Sequence, residues 1–163
     1  MYIILVASLN ENVKLANTLQ KQINQLGNES EIVNLIELDF PMYSSKKEEE
    51  GIPLSVKELV QKLEKSEGYI VVAPEYNYST PPVLTNAVAW VSRVDSDFRK
   101  YFKGKHILLA THSGGGGADV LRDMRRQFTK LGAEVSESEI LITYSKSLDM
   151  TISKNILQKY LKR

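Results

Sequence analysis

The chain has 163 residues, a length that at roughly 150 residues per domain argues for a single domain over 1–163 and against a repeat array. Apolar residues at 42% and charged residues at 25% describe a globular chain with a real core, which excludes disordered, collagen-like and mucin-like chains. The 21 Lys and Arg against 20 Asp and Glu leave a net charge of +1, so no global field draws in nucleic acid or an acidic membrane surface, and any ligand must be recognised locally.

Tyr2 to Ala7 is a continuous apolar run, the pattern of a strand buried on both faces of a parallel sheet. It is far short of the roughly 20 residues that span a bilayer, and it lacks the basic n-region and cleavage site of a signal peptide. No membrane partner is expected. After a short polar loop, Leu15, Leu19, Ile23 and Leu26 recur at helical spacing, and Gly27 stops the helix. Glu31 to Ile36 reads as a second, more polar strand, followed by Asp39-Phe40-Pro41-Met42-Tyr43 and a charged loop, Ser44 to Gly51.

Pro53 opens a helix with the apolar face Val56, Leu59, Val60 and Leu63. Gly68 then leads into the strand Tyr69 to Ala73. The next helix follows Pro81-Pro82, with Leu84, Ala87, Val88 and Val91 on one face, before a charged link from Asp95 to Lys105. His106 to Thr111 is the fourth strand. Ser113 to Gly117 opens a helix whose buried face is Leu121, Met124, Phe128 and Leu131, with Arg122, Arg125 and Arg126 pointing away. A fifth strand lies within Val135 to Ile142, and a last helix carries Ile152, Ile156, Leu157, Tyr160 and Leu161. Lys159, Lys162 and Arg163 read as solvated.

Strands alternating with helices imply an α/β three-layer sandwich, because each parallel crossover needs a helix and right-handed crossovers cover both faces. A five-stranded parallel sheet of order 2-1-3-4-5 is expected. In such sheets ligands bind beyond the carboxyl ends of the strands, at the switch point between strands one and three. That rule selects three loops: Ser8 to Asn12, Pro74 to Pro82, and His112 to Gly117.

Neither G-x-G-x-x-G nor G-x-x-x-x-G-K-[ST] follows the first strand, so Rossmann dinucleotide binding and P-loop phosphoryl transfer lose their signatures. The acidic pair of a phosphate-accepting receiver is also missing. What stands there is Ser8, Asn10 and Asn12 before a helix N-terminus, a pattern that fits either a helix cap or an anion site. The second loop combines prolines with Tyr76, Asn77 and Tyr78, which suits either a flat heteroaromatic ring or a plain connector. The third has glycines at 114–117, for close backbone approach to a ligand or for flexibility. His106 and His112 with no cysteine in the chain make a metal site unexpected, and a cysteine-free chain suits a reducing cytoplasm.

Pro74-Glu75-Tyr76-Asn77, with Ser79, Pro81, Val83-Leu84, Asn86-Ala87, Trp90 and Ser92-Arg93, resembles the P-E-Y-N-x-S-x-P-x-V-L-x-N-A-x-x-W-x-S-R signature of the NADPH-dependent FMN reductase family over about twenty consecutive positions. That flavodoxin-like family includes FMN, quinone, azo-dye and chromate reductases. The resemblance implies that Pro74, Glu75, Tyr76 and Asn77 line an isoalloxazine ring, largely through main-chain contacts, with Ser113, Gly114 and Gly115 approaching from the other side. The family's first loop grips the FMN phosphate with Gly-Ser-x-Arg and Ser-x-Asn. Here Ala7 replaces the glycine, Ser8 stands, Asn10 replaces the arginine, and the shorter loop leaves either Asn12 for the family asparagine or Val13 for the serine. Losing the guanidinium removes a contact worth about 1.5–3 kcal/mol. Tyr78 stands where glycine is commoner.

The function implied is an FMN-dependent oxidoreductase that takes hydride from NADPH or NADH and passes electrons to a small-molecule acceptor such as a quinone or free flavin, with no catalytic side chain required. The alternative is a flavodoxin-like binding protein with weak or lost FMN binding. The helix after Pro82 carries Val83, Leu84, Val88, Trp90 and Val91, which exceed one narrow face. That surplus, with the resemblance, implies a homodimer or homotetramer. Trp90 reads either as core or as part of the interface.

Overall fold

The computed structural model describes residues 1–162, so Arg163 lies outside the described residues. Five consecutive buried apolar residues make Tyr2–Val6 (β1) the centre of the sheet. It pairs in parallel with β2 (Ser30–Asn34) on one side and β3 (Gly68–Val72) on the other. Beyond β3 lie β4 (His106–Ser113) and β5 (Glu134–Val135), giving the expected parallel order β2-β1-β3-β4-β5.

Helices α1 (Glu11–Gln25) and α6 (Met150–Leu161) cover one face, where Leu15, Leu19, Ile23 and Leu157 pack on Ile4, Ile70 and Leu108. On the other face, α3 (Leu54–Lys65), α4 (Pro82–Val91) and α5 (Ala118–Lys130) set Leu59, Leu84 and Phe128 against Leu5, Val71 and Leu109. Two apolar layers thus sandwich a sheet buried on both sides, and the loops above its carboxyl edge are left as the free surface.

Four local readings differ from expectation. The stretch 44–51 is not all loop: Ser45–Glu49 forms a short helix, α2, because Ser44 Oγ accepts from the Lys47 N–H at 3.1 Å. The second strand ends at Asn34 rather than Ile36, since Asn34 Oδ1 accepts from the Ile36 N–H and turns the chain. The fifth strand is broken: β6 (Ile140–Thr143) meets β4 separately from β5. Arg125 bridges this break, and it does not point away. Its guanidinium donates to the Ser136 carbonyl at 2.7 Å and to Glu139 at 2.9 Å, at the stretch where the chain leaves β4 after the Ser136 N–H has donated to the Ile107 carbonyl at 2.8 Å.

The link from Asp95 to Lys105 is charged in sequence, yet Tyr101 and Phe102 within it are buried, Phe102 packing on Phe128 with ring centroids 5.8 Å apart. Tyr69 and Tyr160 carry phenols deep in the structure. The Tyr160 hydroxyl donates to the Tyr69 carbonyl at 2.8 Å, and its ring stacks on His106 at 4.9 Å. Burial pushes both phenols well above their ordinary range. In the unfolded chain they ionise near pH 10. A group whose folded pKa is raised contributes stability in full below its unfolded pKa and loses it as pH climbs toward the folded value. The urea midpoint is therefore expected to fall once pH exceeds about 10, and Tyr160→Phe to flatten that fall. An unchanged slope in the variant would contradict this.

Candidate functional site

Three strands, β1, β3 and β4, end side by side at the point where the chain order of the sheet reverses. On the edge of β4, the Ala110 carbonyl accepts from the Ala73 N–H at 3.1 Å, just past the end of β3. Two residues further on, the His112 N–H and C=O emerge on the β3 side of β4, beyond the end of β3. The Asn12 side chain takes that place: Oδ1 accepts from the His112 N–H at 2.8 Å and Nδ2 donates to its carbonyl at 2.9 Å. At 2% exposure, Asn12 is a strand mimic that ties the start of α1 to β4.

The first loop is held from below as well. Asn34 Nδ2 donates to the Ser8 carbonyl at 2.9 Å, and Ser8 Oγ accepts from the Asn10 N–H at 3.2 Å, leaving the hydroxyl proton to donate. Asn10 occupies the N-cap position, yet its side chain makes no capping bond, so the cap reading of this loop is not the one realised. Its carbonyl accepts from Val13 and Lys14, which commits the Val13 amide while the Val13 side chain packs on the core. Among the described residues no acceptor lies in reach of the Glu11 and Asn12 amides. Glu11 itself stands in the first turn, bonded to Lys14 at 2.6 Å and 3.6 Å from His112 Nδ1. The Lys14 hydrogen bond holds the Glu11 carboxyl below its usual range.

The second loop is a two-residue hairpin. Tyr76 and Ser79 exchange both backbone hydrogen bonds at 3.0 Å, and Asn77 and Tyr78 between them have φ of 49° and 63°. Such a turn needs left-handed residues at both centres, and a tyrosine there costs about 1–2 kcal/mol. Two contacts with α5 fix the hairpin. Glu75 Oε2 accepts from the Val120 N–H at 3.2 Å, supplying the cap that Gly117 has no side chain to give, and Ser79 Oγ donates to Asp123 at 2.7 Å. Pro74 and Glu75 are half-buried, whereas Tyr76 and Asn77 are exposed.

In the third loop Ser113 is buried, and its Oγ accepts from the Gly115 N–H at 3.2 Å. A Cβ added to Gly115 or Gly116 would meet nothing within 4 Å, and one on Gly114 would meet only the Tyr144 ring edge at 3.7 Å. Gly117 differs: its φ is +76°, and a Cβ there would come within 3.0 Å of Ser113 and 3.1 Å of Thr111. The loop therefore offers bare backbone to the outside and is clamped at its end. Around it stand large apolar side chains that the fold leaves in water: Leu9 at 57%, Tyr76 at 51% and Tyr144 at 78% exposed. Tyr144 and Leu9 carried no periodic signal in the sequence, because each sits just past a strand end. His112 packs edge-on against Tyr144 at 5.0 Å, and among the described residues no group of three His, Cys, Asp or Glu side chains is placed to hold a metal.

The NADPH-dependent FMN reductase family matches residues 2–146. The chain belongs to that family. The quinone reductase of Escherichia coli (strain K12) is 37% identical over 100 residues, covering 60% of this chain and 52% of that protein. The chain thus spans about half the length of the curated relatives it matches. Among solved structures, FerB, a flavoenzyme NAD(P)H:(acceptor) oxidoreductase from Paracoccus denitrificans, superposes with a TM-score of 0.81 at 23% identity, over 99% of this chain and 94% of that one. Two-electron reduced Megasphaera elsdenii flavodoxin gives 0.69 at 16% identity, over 100% of both chains. These two likenesses speak for the fold, which is flavodoxin-like.

In this FMN reductase family member the signature divides between two tasks. Residues 74–79 shape the carboxyl edge of the sheet, whereas Asn86 and Trp90 are buried braces and Arg93 a surface one. Trp90 is fully buried, its Nε1 donates to the Pro41 carbonyl at 2.7 Å, and Tyr43 meets its ring edge-on at 5.2 Å. Asn86 accepts from the Tyr43 N–H at 2.8 Å and donates to Pro41 at 3.1 Å, while Arg93 pairs with Glu48 of α2 at 3.0 Å. Trp90, the largest part of the apolar surplus on α4, is therefore covered by the chain's own Pro41 and Tyr43 and offers no surface to a second subunit.

Proposed function

We propose that this chain is an FMN-dependent oxidoreductase that uses NADPH or NADH to reduce a quinone, free flavin or similar small acceptor. The observation that supports it most strongly is the carboxyl edge itself: a bare glycine backbone, with Leu9, Tyr76 and Tyr144 exposed around it, at the switch point of the sheet. Exposed aromatic and apolar side chains beside open backbone suit a planar ring. The donors of the first loop suit its phosphate, since the Glu11 and Asn12 amides, the Ser8 hydroxyl and the Asn10 amide are neutral groups that hold an anion at a helix start without a guanidinium.

On this reading Ser8, the Asn10 side chain and the Glu11 and Asn12 backbone amides hold the phosphate, while the Asn12 side chain and Val13 set the helix in place. Pro74, Glu75, Tyr76 and Asn77 border one side of the ring, and Ser113, Gly114 and Gly115 the other. FMN supplies two-electron redox chemistry when bound. The chain's part is to bind it, leave one face open and exclude competing contacts, which explains why no acid–base pair or nucleophile is needed.

Among the described residues no helix is long and apolar enough to cross a membrane. We propose a cytoplasmic location from the cysteine-free sequence. We also propose assembly as a homodimer or homotetramer through the exposed Tyr78, at 77% exposure, and its neighbours on the hairpin rather than through Trp90. The decisive experiment is steady-state oxidation of NADPH by the purified chain with added FMN and a soluble naphthoquinone. Turnover that depends on both FMN and the quinone is expected. Rates no higher than those of the same mixture without protein would remove the enzymatic reading in favour of a binding protein.

A further inference from the structure

Between α4 and α5, beside the hairpin, lies a groove of about 560 Å³. Ser79 and Thr80 form its near wall, so it begins where the proposed ring-binding loop ends. Its floor is apolar, made by Val88 and Leu131, and Phe98 stands on the rim with 47% of its surface exposed, its ring already approached by the Arg99 guanidinium at 5.0 Å. Along α5 the groove is lined by Asp123, Arg126 and Lys130, which share one face of the helix. Asp123, at the hairpin end, is engaged by Ser79. Arg126 and Lys130, one turn apart, make no ion pair or hydrogen bond among the described residues, in a chain whose net charge is only +1.

A flat aromatic body fits the apolar floor and the Phe98 rim, and a compact, strongly charged anion fits two unpaired cations about 6 Å apart on one helix face. We propose that this groove takes the adenosine end of NADPH, with the 2′-phosphate between Arg126 and Lys130, away from Asp123. The inference rests on the oxidoreductase reading and deepens it, because it makes the chain selective for NADPH over NADH through two residues that make no hydrogen bond or ion pair with the ring loop or the phosphate loop among the described residues. An anionic aromatic acceptor has the same general chemistry, so the test must separate the two.

The test is titration of the flavin-free chain with 2′,5′-ADP and, separately, with 5′-AMP, followed by amide chemical shifts, alongside kinetics of Arg126→Gln/Lys130→Gln. The proposal expects shifts at Thr80, Phe98 and Gln127 with 2′,5′-ADP, and binding of 5′-AMP at least several-fold weaker. It expects KM for NADPH to rise roughly tenfold or more in the double variant, the loss of one or two charge-assisted contacts, while KM for NADH and the affinity for FMN stay within twofold. It is overturned by no 2′,5′-ADP binding at millimolar concentration, by shifts confined to another surface, or by an equal rise in KM for both nucleotides. A rise in KM for an anionic quinone alone assigns the groove to the acceptor and equally overturns it. Failure of the oxidoreductase reading is recognised separately, by a wild-type chain that never oxidises NADPH whatever the groove binds.

Discussion

Trp90→Ala is expected to cost about 3–5 kcal/mol, the usual loss for emptying a fully buried aromatic site, and with it the hydrogen bond to the Pro41 carbonyl. Against a total stability of about 5–15 kcal/mol this lowers Tm by roughly 10 °C in a domain of this size. The damage spreads, because Tyr43 and segment 40–43 rest on the same ring. Trp90→Phe keeps most of the packing and loses the indole N–H, so it should fall much closer to wild type. Differential scanning calorimetry reads both. If instead Trp90 belonged to a subunit interface, Trp90→Glu would leave the Tm of the monomer alone and change only the mass seen by light scattering.

Asn12→Ala carries the second large effect and links fold to site. Removing this buried amide strands the His112 N–H and C=O where no strand can reach them, at about 1–3 kcal/mol for each group left unsatisfied. A total loss of about 2–4 kcal/mol in urea unfolding is expected. Because Asn12 also fixes the first turn of α1 against β4, the proposed phosphate donors should shift with it. FMN affinity is then expected to drop about tenfold, which corresponds to 1.4 kcal/mol, although in the structure the Asn12 side chain is fully occupied by His112. Unchanged stability with reduced FMN binding would contradict this, and would make Asn12 a direct ligand.

The sheet order was legible because it follows from alternation: apolar runs too short for anything but strands, separated by amphipathic segments, leave few right-handed arrangements. The three loops of the site followed from that order alone. What periodicity could not show was the work of single polar side chains acting at long range. Arg125 bridges the break in the last strand by reaching Ser136 and Glu139, and a basic residue on a helix carries no sign of that in sequence. Ser44 makes a helix turn out of a charged stretch. Asn12 and Glu75 are polar residues at loop positions where ligand contact is the natural reading, yet each is spent on backbone groups of another element. Trp90 illustrates the converse: an apolar surplus on a helix signals burial, but the partner was a loop of the same chain, 49 residues away.

Binding of FMN to the unmodified chain tests the account most directly, since the carboxyl edge of the sheet is read as a flavin site without the family's arginine. Titration followed by quenching of flavin fluorescence should give saturable binding of one FMN per chain, with riboflavin weaker because it lacks the phosphate proposed to sit at the Ser8 to Asn12 loop. A chain that leaves flavin fluorescence unchanged up to millimolar concentration would contradict the account.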